Sequence, residues 1–130
     1  MERYDPQAIE PKWQSIWEDE GTWEVSNDFS GKPKSYVLEM LPYTSGEPHM
    51  GHLKVYSVGD AVAHFHRRSG RRVLNPMGYD AFGLPAENAA IRAGGHPREI
   101  VERNIAHITS EMRRLGWGHD ADRVIAVHTP

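Results

Sequence analysis

Apolar positions along this chain recur in short runs of two different periods, and most runs are bracketed by residues that start or stop an element. Ile9, Trp13, Ile16 and Trp17 fall three to four apart, the spacing that lines one face of a helix. Asp5 and Pro6 ahead of them provide an N-cap and a proline suited to the first helical position. Gly21 provides the stop. Pro11 lies too deep for an undisturbed helix, so the helix either begins near Glu10 or has kinked first turns. Residues 21–34 are polar and turn-rich, which reads as a connector. Ser35-Tyr36-Val37-Leu38-Glu39-Met40-Leu41 is short, mostly apolar and rich in β-formers, and predicts a buried strand. Pro42, Gly46 and Pro48 cannot continue it, so residues 42–48 form a loop.

From His49 the period is helical again. Val55, Val58, Val62 and Phe65 make a stripe, and Arg67, Arg68, Arg71 and Arg72 gather near its C-terminal end, where the helix dipole favours cations. Gly70 stops this helix, and Val73-Leu74-Asn75 fits a second parallel strand. Strand, loop, helix and strand make a βαβ unit and an α/β fold. Residues 86–93 form a short helix with Pro85 at its start and Gly94-Gly95 at its end. Residues 97–115 carry the cleanest helical period: Val101, Ile105, Ile108, Met112 and Leu115. Gly and Pro concentrate between residues 42 and 97, around the βαβ unit. Loops of this kind at the strand ends are where such folds place ligands.

Composition narrows the classes of function. The 130 residues suffice for one domain or part of a larger one, and 38 % hydrophobic with 25 % charged residues describes a globular chain rather than a disordered one. The net charge of −3, without a basic stripe, argues against a stand-alone nucleic-acid binder. If RNA is handled, the main phosphate contacts lie elsewhere. No cysteine is present, which excludes disulfides and thiolate metal sites. No apolar run approaches the ~18 residues that span a bilayer, and the first residues lack a secretory pattern. A cytoplasmic protein without membrane contact is expected.

Two segments carry candidate chemistry. In Pro48-His49-Met50-Gly51-His52, a loop feeds a helix, and two histidines three apart share one helical face. A helix start offers free N–H groups and partial positive charge, and two imidazoles there suit a polyphosphate. Gly51 leaves backbone open to a flat ring. The pair also fits simple surface or core decoration, or half of a metal site. Glu47, Asp60 and Asp80 complete no ligand spacing, so no metal ligands are assigned. Asp80 lies in the second segment, Gly78-Tyr79-Asp80-Ala81-Phe82-Gly83-Leu84-Pro85. Its carboxylate could pair with an ammonium group or could cap a turn.

Met40-Leu41-Pro42-Tyr43-x-Ser45-Gly46, His49-Met50-Gly51-His52 and Asp80-Ala81-Phe82-Gly83-Leu84-Pro85-Ala86-Glu87 occur in order. Together they resemble the bacterial leucyl-tRNA synthetases, a family of class I aminoacyl-tRNA synthetases. The likeness runs from about Tyr4 to the end and includes Ala8-Ile9-Glu10-x-Lys12-Trp13-Gln14. Phe82 separates it from the isoleucine enzymes, which tend to carry histidine there. The resemblance implies the first part of a Rossmann-type, HIGH-motif catalytic domain, an incomplete parallel sheet with flanking helices. Residues 1–34 would be an N-terminal helix and connector, and residues 35–130 the start of the catalytic domain.

The activity implied is leucine–tRNA ligation: ATP activates leucine to leucyl-adenylate, and leucine then passes to the 3′ end of tRNA(Leu). By resemblance, His49 and His52 are catalytic and contact ATP with Gly51. Met40, Leu41, Tyr43 and Asp80 bind leucine, with Asp80 on its ammonium group, and Mg2+ accompanies ATP. A monomer is expected. Thr44 stands where the family usually has proline, Tyr79 where it usually has tryptophan. Residues 118–124 depart from its more common Tyr-Asp-Trp-x-Arg-Glu pattern. No KMSKS-like loop and no editing or anticodon-binding region is present. A fragment with half a catalytic site, weak or inactive alone, with exposed apolar surface and marginal stability, is therefore expected. The rival readings are a small His-x-Gly-His nucleotidyltransferase and a truncated, non-catalytic paralogue.

Overall fold

The local start and stop signals are used much as written. The computed structural model describes residues 3–28 and 31–129, so residues 29 and 30 of the expected connector lie outside the described residues. Helix α1 (Pro6–Asp19) begins with Asp5 accepting the Gln7 N–H and runs through Pro11. It therefore starts at Pro6 rather than near Glu10. Gly21 adopts φ +57°, and Thr22 N–H returns to the Trp17 carbonyl, closing the helix with a left-handed cap.

Strand β1 (Lys34–Tyr36) pairs in parallel with β2 (Arg72–Leu74), Ser35 opposite Val73, and α2 (Met50–Arg68) connects them. Strand β3 (Gly78–Tyr79) pairs in parallel with β4 (Ile125–Ala126). Helices α3 (Leu84–Ala93) and α4 (Pro97–Arg114) and a 3-10 turn, Ala121–Arg123, lie between β3 and β4. The expected α/β class holds: the parallel pairing forms two short two-stranded sheets, β1–β2 and β3–β4, with flanking helices. A lone bridge between Tyr43 and Asp80 extends the pairing of the first and second extended segments. One residue more lies between Tyr36 and Tyr43 than between Leu74 and Asp80, so the register slips by one between the two pairings.

Two expectations need correction. The strand of residues 35–41 is regular only at 34–36, and it is not buried on both faces. Tyr36, Leu38 and Met40 are exposed at alternate positions, while residues 35, 37, 39 and 41 turn inward. The helix stripe is inward only at Val55, which packs against the core. Val58, Val62 and Phe65 are exposed, and α2 buries Tyr56 and Ala63 instead. A period identifies faces, whereas the face that is covered depends on which neighbour can approach closely. Gly59, one turn from Ala63 on the inward side, has room for no β-carbon beside Glu39. These rows give the exposed apolar surface that was expected.

The core lies where α2, β3 and α4 meet. Tyr56, Met77, Tyr79, Ile108 and Met112 form one cluster, with Trp117 against it; Ala81, Ala86 and Val101 form a second, joined through Ile105. Each fully buried large side chain contributes about 1.5–3 kcal/mol. The segment 118–124 has a clear structural role. Gly118 N–H donates to Asp60 (2.8 Å), and its carbonyl accepts from Arg67 (2.9 Å). Buried Asp120 accepts from Val25 N–H and Asp122 N–H and pairs with Arg123.

Candidate active site

The two histidines meet, though by a different geometry from two residues on one helical face. His49 is the N-cap of α2, in extended conformation. Its Nδ1 accepts from Gly51 N–H (3.1 Å), and His52 Nδ1 accepts from His49 N–H (3.3 Å). This is a reciprocal capping box built from two imidazoles. The rings stack with centroids 3.9 Å apart. Because both Nδ1 atoms accept backbone N–H groups, each neutral ring carries its proton on Nε2. Partial burial, and then the charge of His49, hold the His52 pKa below its ordinary value. The pair therefore offers an Nε2–H donor from each ring beside a helix N-terminus, a set that can hydrogen-bond an anion's oxygens. A β-carbon on Gly51 would come within 3.0 Å of the His49 ring, so glycine is what lets the cap close.

The second half of the site is the segment 40–44 and Asp80. Asp80 follows β3, and its N–H donates to the Pro42 carbonyl (2.9 Å), which sets it beside Tyr43. Tyr56 O–H donates to the Met40 carbonyl (2.9 Å), and Asn104 Nδ2 to the Thr44 carbonyl (2.7 Å). Met40, Tyr43 and His49 are exposed; Leu41, His52 and Asp80 are half-buried. Tyr56 lies against His52, ring planes 13° apart. His49, Gly51 and His52 thus form one group and Met40, Leu41, Tyr43 and Asp80 another, with buried Tyr56 touching both. Sequence reasoning had singled out neither Tyr56 nor Asn104. A tyrosine four residues after His52 on a helix was the available signal, since i and i+4 share a face.

Of the departures from the family pattern, Thr44 is buried with its hydroxyl lacking a hydrogen-bond partner. Tyr79 is buried, and its O–H meets Thr109 Oγ1 at 2.6 Å. Thr109 already donates to the Ile105 carbonyl, so the tyrosine is the donor. An apolar cavity of about 260 Å³ lined by Trp17, Trp23, Met77, Met112 and Trp117 includes none of the candidate residues. No group of three or more His, Cys, Asp or Glu side chains among the described residues could hold a metal ion. No helix among them is long and apolar enough to cross a membrane.

Comparison with known proteins bears on this geometry. The family described as tRNA synthetases class I (M) matches residues 35–122, which include both groups of site residues. The chain belongs to the class I tRNA synthetases. It is 52 % identical over 128 residues to the leucine–tRNA ligase of Nitratidesulfovibrio vulgaris strain DP4, covering 98 % of this chain and 15 % of that protein. It is 54 % identical over 124 residues to the leucine–tRNA ligase of Oleidesulfovibrio alaskensis, covering 95 % and 15 %. The crystal structure of the ternary complex of Agrobacterium radiobacter K84 agnB2 LeuRS-tRNA-LeuAMS superposes with a TM-score of 0.92 at 40 % identity, covering 98 % of this chain and 16 % of that one. The chain spans about 15 % of the length of the curated relatives it matches.

Proposed function

We propose that the chain works as part of a leucine–tRNA ligase, supplying the ATP-contacting turn and one wall of the leucine site. One observation carries this reading: Tyr56 packs on His52 of the capped histidine turn and holds the Met40 carbonyl of the segment that bridges to Asp80, in a chain of the class I synthetase family. Residues 35–130 act as the start of the catalytic domain, preceded by the α1 segment. Leucine places its carboxylate oxygen on the α-phosphorus of ATP, and the bond to the β-phosphate oxygen breaks. Leucyl-adenylate and pyrophosphate result. The terminal hydroxyl of tRNA(Leu) then attacks the leucyl carbonyl and releases AMP.

His49 and His52 donate through Nε2 to the phosphate oxygens on which charge grows, and Gly51 leaves the backbone open to the adenine. Catalysis of this kind is positioning plus stabilisation of developing charge. Asp80 pairs with the leucine ammonium group, beside Met40, Leu41 and Tyr43. Mg2+ enters with ATP; among the described residues no group of three or more His, Cys, Asp or Glu could hold a metal ion by itself. A small nucleotidyltransferase of other specificity is disfavoured by the likeness to leucine–tRNA ligases over 98 % of the chain.

The test is Asp80→Ala in the complete polypeptide that carries these residues. Removing one partner of a desolvated charge pair costs about 2–5 kcal/mol, so the affinity for a leucyl-adenylate analogue should fall at least about 30-fold. Unchanged affinity in a folded variant would refute the ammonium contact.

A further inference from the structure

The carbonyls of Met40, Pro42 and Thr44, every second residue of one segment, are each held by a donor from a different element. Pro42 takes a backbone N–H, that of Asp80. The other two take side chains. Tyr56, fully buried on α2, donates its hydroxyl to Met40, and Asn104 on α4 donates its amide to Thr44. The Tyr56 ring is itself fixed, against His52 at 5.9 Å and edge-on to Trp117 at 5.4 Å. Burial pushes its hydroxyl pKa up to about 12, so it stays a donor across the working range of pH.

We propose that Tyr56 and Asn104 are positioning residues that clamp the segment 40–44 and so set the shape of the amino-acid side of the site. Neither needs to touch substrate. Tyr56 does a second thing: by packing on His52 it fixes the separation between the histidine turn and the Met40 backbone. The proposal rests on the reading of this site as a leucine and ATP site. The clamp acts on one substrate only, because the histidine turn is closed by its own capping hydrogen bonds and does not depend on the Tyr56 hydroxyl.

The experiment is leucine-dependent ATP–pyrophosphate exchange by the complete polypeptide, with KM measured separately for leucine and ATP. Tyr56→Phe keeps the ring on His52 and removes only the donor; Asn104→Ala removes the other. Loss of one neutral hydrogen bond corresponds to roughly a 2- to 12-fold change. Each variant should raise KM for leucine by about that factor and leave KM for ATP within about twofold. A role confined to stability would lower the melting temperature without that split. An unchanged leucine KM in either folded variant, or a parallel rise of both constants, overturns the clamp. Asp80→Ala separates the two readings: if wild type activates leucine and Asp80→Ala does not, only the clamp is at stake. Absence of leucine-dependent exchange in wild type removes the ground for both.

Discussion

Gly59 tests how α2 sits on the first extended segment. It lies in the interior of a 19-residue helix, where replacing glycine by alanine ordinarily stabilises by about 0.8–1.0 kcal/mol. Here a β-carbon would lie 1.5 Å from Glu39 Oε1, 2.4 Å from its Cδ and 2.8 Å from its Cγ. Moving the carboxylate alone is not enough, because the Cγ contact is also too short; the whole Glu39 side chain must leave. Overpacking of this kind costs about 1–3 kcal/mol. The displaced carboxylate also loses the amide of buried Asn75, which donates to it at 3.2 Å once its amide is turned nitrogen-inward, worth about 1 kcal/mol. Gly59→Ala should therefore destabilise the chain by a net ~1–3 kcal/mol, against the sign that helix propensity alone gives. In a Glu39→Ala background the obstacle is gone, and the same substitution should stabilise by about 1 kcal/mol. Urea unfolding of the four proteins, followed by circular dichroism, gives the coupling from a double-mutant cycle, expected at about 2–4 kcal/mol. Stabilisation by Gly59→Ala in the wild-type background, or coupling under about 0.5 kcal/mol, would refute the close approach.

Two further outcomes are expected. Asp120→Ala strips acceptors from Val25 N–H and Asp122 N–H and leaves Arg123 without its partner; urea unfolding should show a loss of about 2–3 kcal/mol, and a change under about 0.5 kcal/mol would mean water replaces the carboxylate freely. His119 has its pKa held below the ordinary 6.5, chiefly by burial. Its contribution is full above pH 6.5 and is lost as pH falls toward the depressed folded value, because the unfolded chain takes up the proton first. Melting temperatures measured downward from pH 7.5 should drop below pH 6.5, and His119→Gln should flatten that drop; an identical slope in the variant would assign the titration to another group.

Much of the candidate site could be read from the chain because it depends on neighbours in sequence. The His49–Gly51–His52 turn is a cap, closed by atoms two and three residues apart. The ends of α1, α3 and α4 likewise follow from Asp5, Pro85, Gly94 and Pro97, whose backbone preferences act locally. The βαβ order followed from the alternation of periods. Other features depend on residues far apart in sequence. That α2 turns Tyr56 and Ala63 inward and leaves Val58, Val62 and Phe65 outside goes with the close approach of Gly59 to Glu39, twenty residues earlier. The pairing of β3 with β4 brings Gly78 to Ile125, and two-residue strands carry no period to announce themselves. Asp120 is buried because Val25 and Arg123 meet it there, and Met40 and Thr44 are held by Tyr56 and Asn104 from two separate helices. The sequence by itself determined the caps, the helical spans and the residue types of the site, since each is set within a turn or two of backbone. Only the tertiary structure decided which faces are covered and which carbonyls are held, since those depend on side chains that folding alone brings within 3 Å of one another.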